Sequence, residues 1–282
     1  MFRRLTASSL VLVALAAACG GAEGGAEGGG TVASSTTSST PETTTTTTPV
    51  DALTILVTND DGIGAPGIDA LVNALQALDD VDIVIVAPAE NQSGSSDKTT
   101  DGPVASAPGA TASGVEGTAV SGFPADSVNV ALDELGIEPD LVVSGVNEGQ
   151  NIANLAPISG TLGAARTAIR RGVPAVAASA GLGELADFEA GAALIVEWIT
   201  EHRDALAGGS VGTETVTSFN VPGCVTGEAK ALVEVPLAPV IPDGVDAFST
   251  ANCDAPVPVA PTNDVEALLG GYLAVTQVPA DM

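Results

Sequence analysis

Two adjacent carboxylates, Asp60 and Asp61, close an apolar run in "TILVTNDDGIGAPGIDAL", residues 54–71. Like charges side by side repel, and keeping both ionised near neutral pH requires compensation. The chain is poor in positive charge: Lys and Arg total 8 against 35 Asp and Glu, for a formal net charge of -27. A divalent cation is then the economical partner. Hard oxygen ligands suit Mg²⁺, Mn²⁺ or Ca²⁺, and two further loops offer them, "ENQSGSS" from Glu90 and "SGVNEGQN" from Ser144. Asp60, Asp61, Ser93 and Asn147 together make a candidate metal set. His202 is the only histidine, which excludes a His-rich zinc site and a Ser-His-Asp triad; its own place in a helical pattern reads as solvated surface.

A further cluster, "ISGT" from Ile158, opens a helical segment. There Ser159, Gly160 and Thr161 would offer backbone N–H groups and two hydroxyls to an anion. Gly145, Gly149 and Gly160 permit close approach of backbone to ligand. A metal and an anion cradle, without a nucleophilic His or Cys, point toward hydrolysis of a phosphate ester by metal-activated water. An aspartyl-phosphate route, with Asp60 or Asp61 as nucleophile, uses the same residues. Taken singly, each piece has a plainer reading: Asp-Asp-Gly as a turn, Ser-Gly-Thr as a helix cap, Asn147 and Asn151 as loop residues. Their joint placement after successive strands carries the inference.

The elements that would position them follow a regular rhythm. Strands are expected at 53–59, 81–88, 117–122, 140–147, 173–180 and 215–222. Helices are expected at 65–78, 124–135, 159–172 and 186–206, and runs near 231–240 and 271–278 read as hairpins or edge strands. Strand and helix in alternation predict a mostly parallel α/β sheet wound on both faces, with a β-rich C-terminal extension. In such sheets, sites form outside the carboxyl ends of the strands, where the polar clusters fall. Hydrophobic residues make up 45% and aromatics only 2%, so the core must be aliphatic. The acidic surface repels nucleic-acid backbones and argues against a polymer-binding groove.

The amino terminus reads as a targeting segment. Arg3 and Arg4 precede "LVLVALAAA" and small residues leading to Cys19. "LAAAC" followed by two glycines is similar to a bacterial lipoprotein box in which Cys19 is lipidated; ordinary signal cleavage nearby is the alternative. Both make the mature protein exported, either a cell-surface lipoprotein or a secreted protein. Residues 20–50, rich in Gly, Ser, Thr and Pro, read as a flexible tether, leaving 51–282 as the folded domain. Cys224 and Cys253 can pair as a disulfide or remain separate buried thiols.

"ILVTNDDGIGAPGI", "VAPAENQSGSS", "GFPADSV", "DLVVSGVNEGQN" and "ISGTLGAA" occur in that order. Together they resemble the SurE family of survival-protein nucleotidases, over roughly Leu53 to Val221. The resemblance implies a Rossmann-like core and a metal-dependent phosphatase acting on nucleoside 5′- and 3′-monophosphates, with Mg²⁺ or Mn²⁺ as the cation. It implies metal ligation by Asp60, Asp61, Ser93 and Asn147. It places Asn59, Gly94, Asn151, Ser159, Gly160 and Thr161 around the phosphate. It also implies a homodimer or tetramer that exchanges C-terminal segments. The family commonly has Asp-Arg before its N-x-S-G element, where this chain has Ala89-Glu90. A non-enzymatic solute-binding lipoprotein is the competing class; it would want two similar lobes and an aromatic cleft, and this chain has one Trp, one Tyr and no duplicated half.

Overall fold

Short apolar, β-branched runs become the buried strands of one sheet: β1 (Leu53–Thr58), β2 (Val81–Pro88), β5 (Leu141–Glu148), β6 (Ala175–Ala180) and β7 (Thr215–Asn220). Continuous apolarity is what a strand covered on both faces requires, and β6 is buried at every position. The computed structural model describes residues 52–246, 248, 250–257 and 259–282. The expected leader and tether, with Cys19, lie outside the described residues.

The remaining strands are β3 (Ser106–Ala110), β4 (Glu116–Val120), β8 (Cys224–Thr226), β9 (Lys230–Glu234), β10 (Ala251–Asn252) and β11 (Tyr272–Pro279). Nine strands form the main sheet in the order β3-β4-β2-β1-β5-β6-β7-β11-β9. From β4 to β7 all neighbours are parallel. Two antiparallel joins lie outside that block, β3 on β4 and β11 on β7.

Five helices cover the sheet: α1 (Pro66–Leu75), α2 (Pro124–Asn129, continued by a π-turn to Glu134), α3 (Gly160–Arg170), α4 (Phe188–Ala207) and α5 (Asp264–Leu269). Alternate residues of β1 sort to opposite faces. Leu53, Ile55 and Val57 pack with Ile68, Leu71 and Leu75 of α1 and with Ile195 and Ile199 of α4. Leu56 packs with Val128 of α2 and Leu162, Ala165 and Ile169 of α3. The result is the expected doubly wound architecture. Helix starts are chemically marked: Pro66 occupies the first turn of α1, Ser159 Oγ accepts from the Leu162 N–H on α3, and Asp187 accepts from the Ala190 N–H on α4.

The C-terminal extension is present; of the hairpins or edge strands expected there, β9 is an edge strand, and β9 and β11 do not form a hairpin. Strand β11 inserts between β7 and β9 and runs parallel to β9, with α5 between them in sequence. A parallel pair needs a crossover connection, and the chain between β9 and β11 supplies one. It builds a separate cluster in which Val235, Ala238, Val265 and Leu268 pack on Ile152 and Ala153. Within that stretch β10 pairs with β8, and Cys224 and Cys253 form a disulfide beside the pair.

Helix α1 lies so close on β5 that a Cβ on Gly67 would overlap the Val146 carbonyl oxygen. Gly67→Ala is therefore expected to lower stability by about 2 kcal/mol, read as an earlier midpoint in urea unfolding. An unchanged midpoint would contradict this contact.

Candidate active site

The chain passes from β1 to β2 on one side and, after β4 and α2, returns to place β5 on the other side of β1. The crevice beyond the carboxyl ends of β1 and β5 is thus the point where the winding reverses, the favoured ligand position in open α/β sheets. Asp60 and Asp61 follow β1 there, and Asn147 lies near the end of β5.

Asp60 is almost fully buried (3% exposed). Its Oδ1 accepts from the Thr161 hydroxyl at 2.7 Å, and the backbone N–H groups of Gly160 and Thr161 also face it. The N-terminus of α3 therefore points at a side chain of this protein, Asp60. Gly160 makes the approach possible, since a Cβ there would fall 2.8 Å from Asp60 Cβ and 2.9 Å from Ser95 Oγ. Burial still dominates and raises the Asp60 pKa against these hydrogen bonds. Asp61 accepts from Asn91 Nδ2 at 3.1 Å and from the Glu148 N–H at 2.9 Å. Burial first, then the Asp60 charge, push its pKa up to about 6.

A cavity of about 190 Å³ opens at this pair. Of the expected site residues, Asp60, Ser93, Gly94, Asn147, Asn151 and Ser159 line it. Asn147 donates its amide nitrogen to the Gly149 carbonyl, which leaves Oδ1 as the amide atom available to a cation. Asn91 Oδ1 accepts from the Ser93 N–H at 3.0 Å, so one side chain ties the Ser93 loop to Asp61. Asp61 adjoins the cavity through Glu148, which lines it.

Three expected ligand contacts fall behind the cavity wall. Asn59 is fully buried and donates to the Gly62 carbonyl at 2.8 Å. Thr161 is fully buried, donating to Asp60 and accepting from Asn151 Nδ2 at 3.3 Å. Gly160 serves Asp60, as described. Asn151 is itself fixed, its backbone N–H donating to Asn220 Oδ1 and its amide to Ser179 Oγ. Gly145, expected to admit a ligand, has φ +135° and faces the Ala178 carbonyl of β6; its freedom serves strand packing.

Sequence reasoning passed over Glu148, Gln150, Leu155, Ile158 and Phe248, which also line the cavity. Glu148 and Gln150 sit inside the quoted "SGVNEGQN" motif, whereas Phe248 lies about a hundred residues downstream with no local signal. Arg166 was also missed. It is 1% exposed and donates to Ser96 Oγ and to the Ala156 and Pro157 carbonyls. It thereby fastens together two loops, one following Ser93 and Gly94 and one leading into Ser159.

The donor chemistry fits a hard divalent cation. A carboxylate, a hydroxyl and an amide line the cavity at Asp60, Ser93 and Asn147, with the Asp61 carboxylate adjoining it, and among the described residues no Lys or Arg lines it. The basic side chains of the described residues are engaged elsewhere. Arg170 pairs with Asp97 and Arg171 with Asp133, while Arg203 and Lys230 donate to backbone carbonyls. Lys98 lies over the Phe123 ring. Asp60, Asp61, Ser93 and Asn147 are the residues that would hold the ion.

A doubly wound α/β domain with an acidic, oxygen-lined cleft at its switch point is the class this structure defines. The family model for survival protein SurE matches residues 55–238. The 5′-nucleotidase SurE of Brevibacillus brevis is 33% identical, across 81% of this chain and 91% of the relative. The crystal structure of the SurE protein from Aquifex aeolicus superposes with a TM-score of 0.63 at 27% identity, covering 81% of this chain and 94% of that one. The chain belongs to the SurE family.

In the metal-free protein the raised Asp61 pKa means that the folded state binds this proton more tightly than the unfolded state. The stability lost to the charge is recovered below the unfolded value near 3.8 and is missing above about 6. Asp61→Asn is expected to raise stability in EDTA at pH 7.5 by on the order of 1–2 kcal/mol after solvent screening. The gain should shrink toward zero at pH 4. Thermal melts of both proteins at the two pH values check this; a lower melting point for D61N at pH 7.5 would refute it.

Proposed function

We propose that the chain is a 5′-nucleotidase that hydrolyses the phosphate monoester of nucleoside 5′-monophosphates, and of 3′-monophosphates as well. The observation that carries this reading is the convergence of Asp60, Ser93 and Asn147 with the Ser159 end of α3 in one cavity. The family membership and the name of the Brevibacillus relative support it.

Mg²⁺ or Mn²⁺ bound by Asp60, Asp61, Ser93 and Asn147 would polarise the phosphoryl oxygen and lower the pKa of an attacking water. Asp60 and Asp61 anchor that charge. Asn151, Ser159 and Gly94 line the space where the phosphate would sit. Each aspartate carries hydrogen bonds of its own from Thr161, Asn91 or Glu148. Such fixed carboxylates suit ligands better than a nucleophile that must swing onto phosphorus, which favours attack by water over an aspartyl-phosphate. A single main sheet, with no second similar lobe among the described residues, argues against a non-catalytic solute-binding domain.

The disulfide between Cys224 and Cys253 is the pairing expected of an oxidising compartment. It supports export, with Cys19 as the lipid attachment point and residues 20–50 as the tether. Among the described residues no helix is long and apolar enough to cross a membrane; in this reading membrane attachment is through Cys19. Assembly as a homodimer or tetramer has its natural contact at edge strand β9, where Leu232 is exposed.

Phosphate release from 5′-AMP by the purified protein should require Mn²⁺ or Mg²⁺, stop in EDTA, and fall at least about 100-fold in Asp60→Asn. Full activity in EDTA, or none with any divalent metal, would overturn the reading. Labelling with a radioactive fatty acid in a bacterial host should mark the full chain and be lost in Cys19→Ser; equal labelling of both would dismiss the anchor.

A further inference from the structure

Aromatic side chains are scarce in this chain, with five Phe, one Tyr and one Trp. Among the described residues Phe123, Phe188, Trp198 and Tyr272 are half-buried and Phe219 is in the core. Phe248 alone is exposed, at 42%, and it lines the same cavity as Asp60, Ser93 and Asn147. A ring left partly in water beside a polar cavity is placed where a ligand could cover it.

Two further exposed apolar side chains stand with it. Ile158, 52% exposed, lines the cavity. Leu182, 44% exposed, flanks Gly149 opposite the Phe248 ring: a Cβ built on Gly149 would lie 3.2 Å from Leu182 Cδ2 and 3.4 Å from Phe248 Cε1. The cavity thus joins an acidic, oxygen-rich end to an apolar rim carrying one ring.

Hydrogen bonds tie down the chain on either side of that ring. The Phe248 N–H donates to Asp246 Oδ1 at 3.0 Å. Upstream, the Ile241 N–H donates to Asn154 Oδ1 at 2.9 Å, tying the segment to the loop before α3. Downstream, the Ala251 and Cys253 N–H groups donate to Gly223 and Thr226, and Cys253 is bonded to Cys224. Both ends of the segment are therefore anchored to the body of the domain. A planar, neutral ring system is the ligand chemistry that an exposed phenyl beside aliphatic side chains recognises by stacking.

We infer that Phe248, with Ile158 and Leu182, is the platform on which the nucleobase of the substrate stacks, selecting nucleotides over base-free phosphate monoesters. The inference rests on the nucleotidase reading for its substrate class. Phe248 is neutral and carries no group for phosphate chemistry, so it is a specificity residue; the chemistry of phosphate release is left to the acidic end.

The test compares 5′-AMP with ribose 5-phosphate, which shares the phosphate and sugar and lacks the base. In Phe248→Ala, KM for AMP should rise about 10-fold, several times more than any rise in KM for ribose 5-phosphate, with kcat for AMP within about twofold. Phe248→Trp should restore KM for AMP. Equal changes for both substrates, or none for either, would overturn the platform. Adenosine binding by calorimetry separates this claim from catalysis. Adenosine should bind the wild type and be lost in F248A even if no phosphate is released, in which case the nucleotidase reading alone fails. Equal binding of adenosine to both proteins, or to neither, refutes the platform.

Discussion

The constraint that organises this protein is the repulsion between two adjacent, largely buried carboxylates, Asp60 and Asp61. Burial raises the pKa of both, and the Asp60 charge raises that of Asp61 further. Ordinary proteins answer such a cost with Arg or Lys, and here the basic side chains are turned to other tasks. Arg166 binds loop carbonyls, Arg170 and Arg171 pair with Asp97 and Asp133, and Arg203 and Lys230 cap backbone carbonyls. What the fold supplies instead is partial: two N–H groups and a hydroxyl at the start of α3 for Asp60, an amide and one N–H for Asp61. These dipoles orient the carboxylates without cancelling their charge. A site built in this way is held ready for a cation.

The surrounding structure can be read as what keeps that pair in place. Thr161 touches Asp60, Asn151 touches Thr161, and Ser179 and Asn220 hold Asn151. This chain of hydrogen bonds crosses from β1 through α3 to β6 and β7, so the sheet itself sets the geometry. Arg166 does the same for the loops, joining Ser96 to Pro157 from within the core.

Much of this was legible in the sequence, for definite reasons. Strands β1, β2, β5 and β6 are continuous apolar runs, and the residues that follow them are polar and glycine-rich, so both the sheet and its functional rim could be located. β3 escaped notice because "SAPGA" carries no β-branched residue; its pairing with β4 alone makes it a strand. The C-terminal strands were located but their pairing was not. The relative direction of β9 and β11 depends on the crossover through α5, which local pattern does not encode. In the site, carboxylates and loop amides announced themselves by type. Roles that depend on depth did not: Thr161 and Asn59 look like ligand-binding residues and are scaffold. Arg166 lies in a helix that reads as ordinary, yet it is among the most buried large side chains in the domain.

Net charge sharpens the division of labour along the cleft. At -27 the molecule as a whole repels an anionic substrate, and no basic side chain lines the cavity to offset this. Attraction for the phosphate must then be short-ranged, of the kind a cation at the carboxylates would supply within a few ångströms, where screening by salt is weak. A neutral aromatic base is indifferent to the long-range field. An apolar rim at Ile158, Leu182 and Phe248 therefore offers affinity that the acidic surface does not oppose, and a domain this negative gains more from such a contact than a neutral one would.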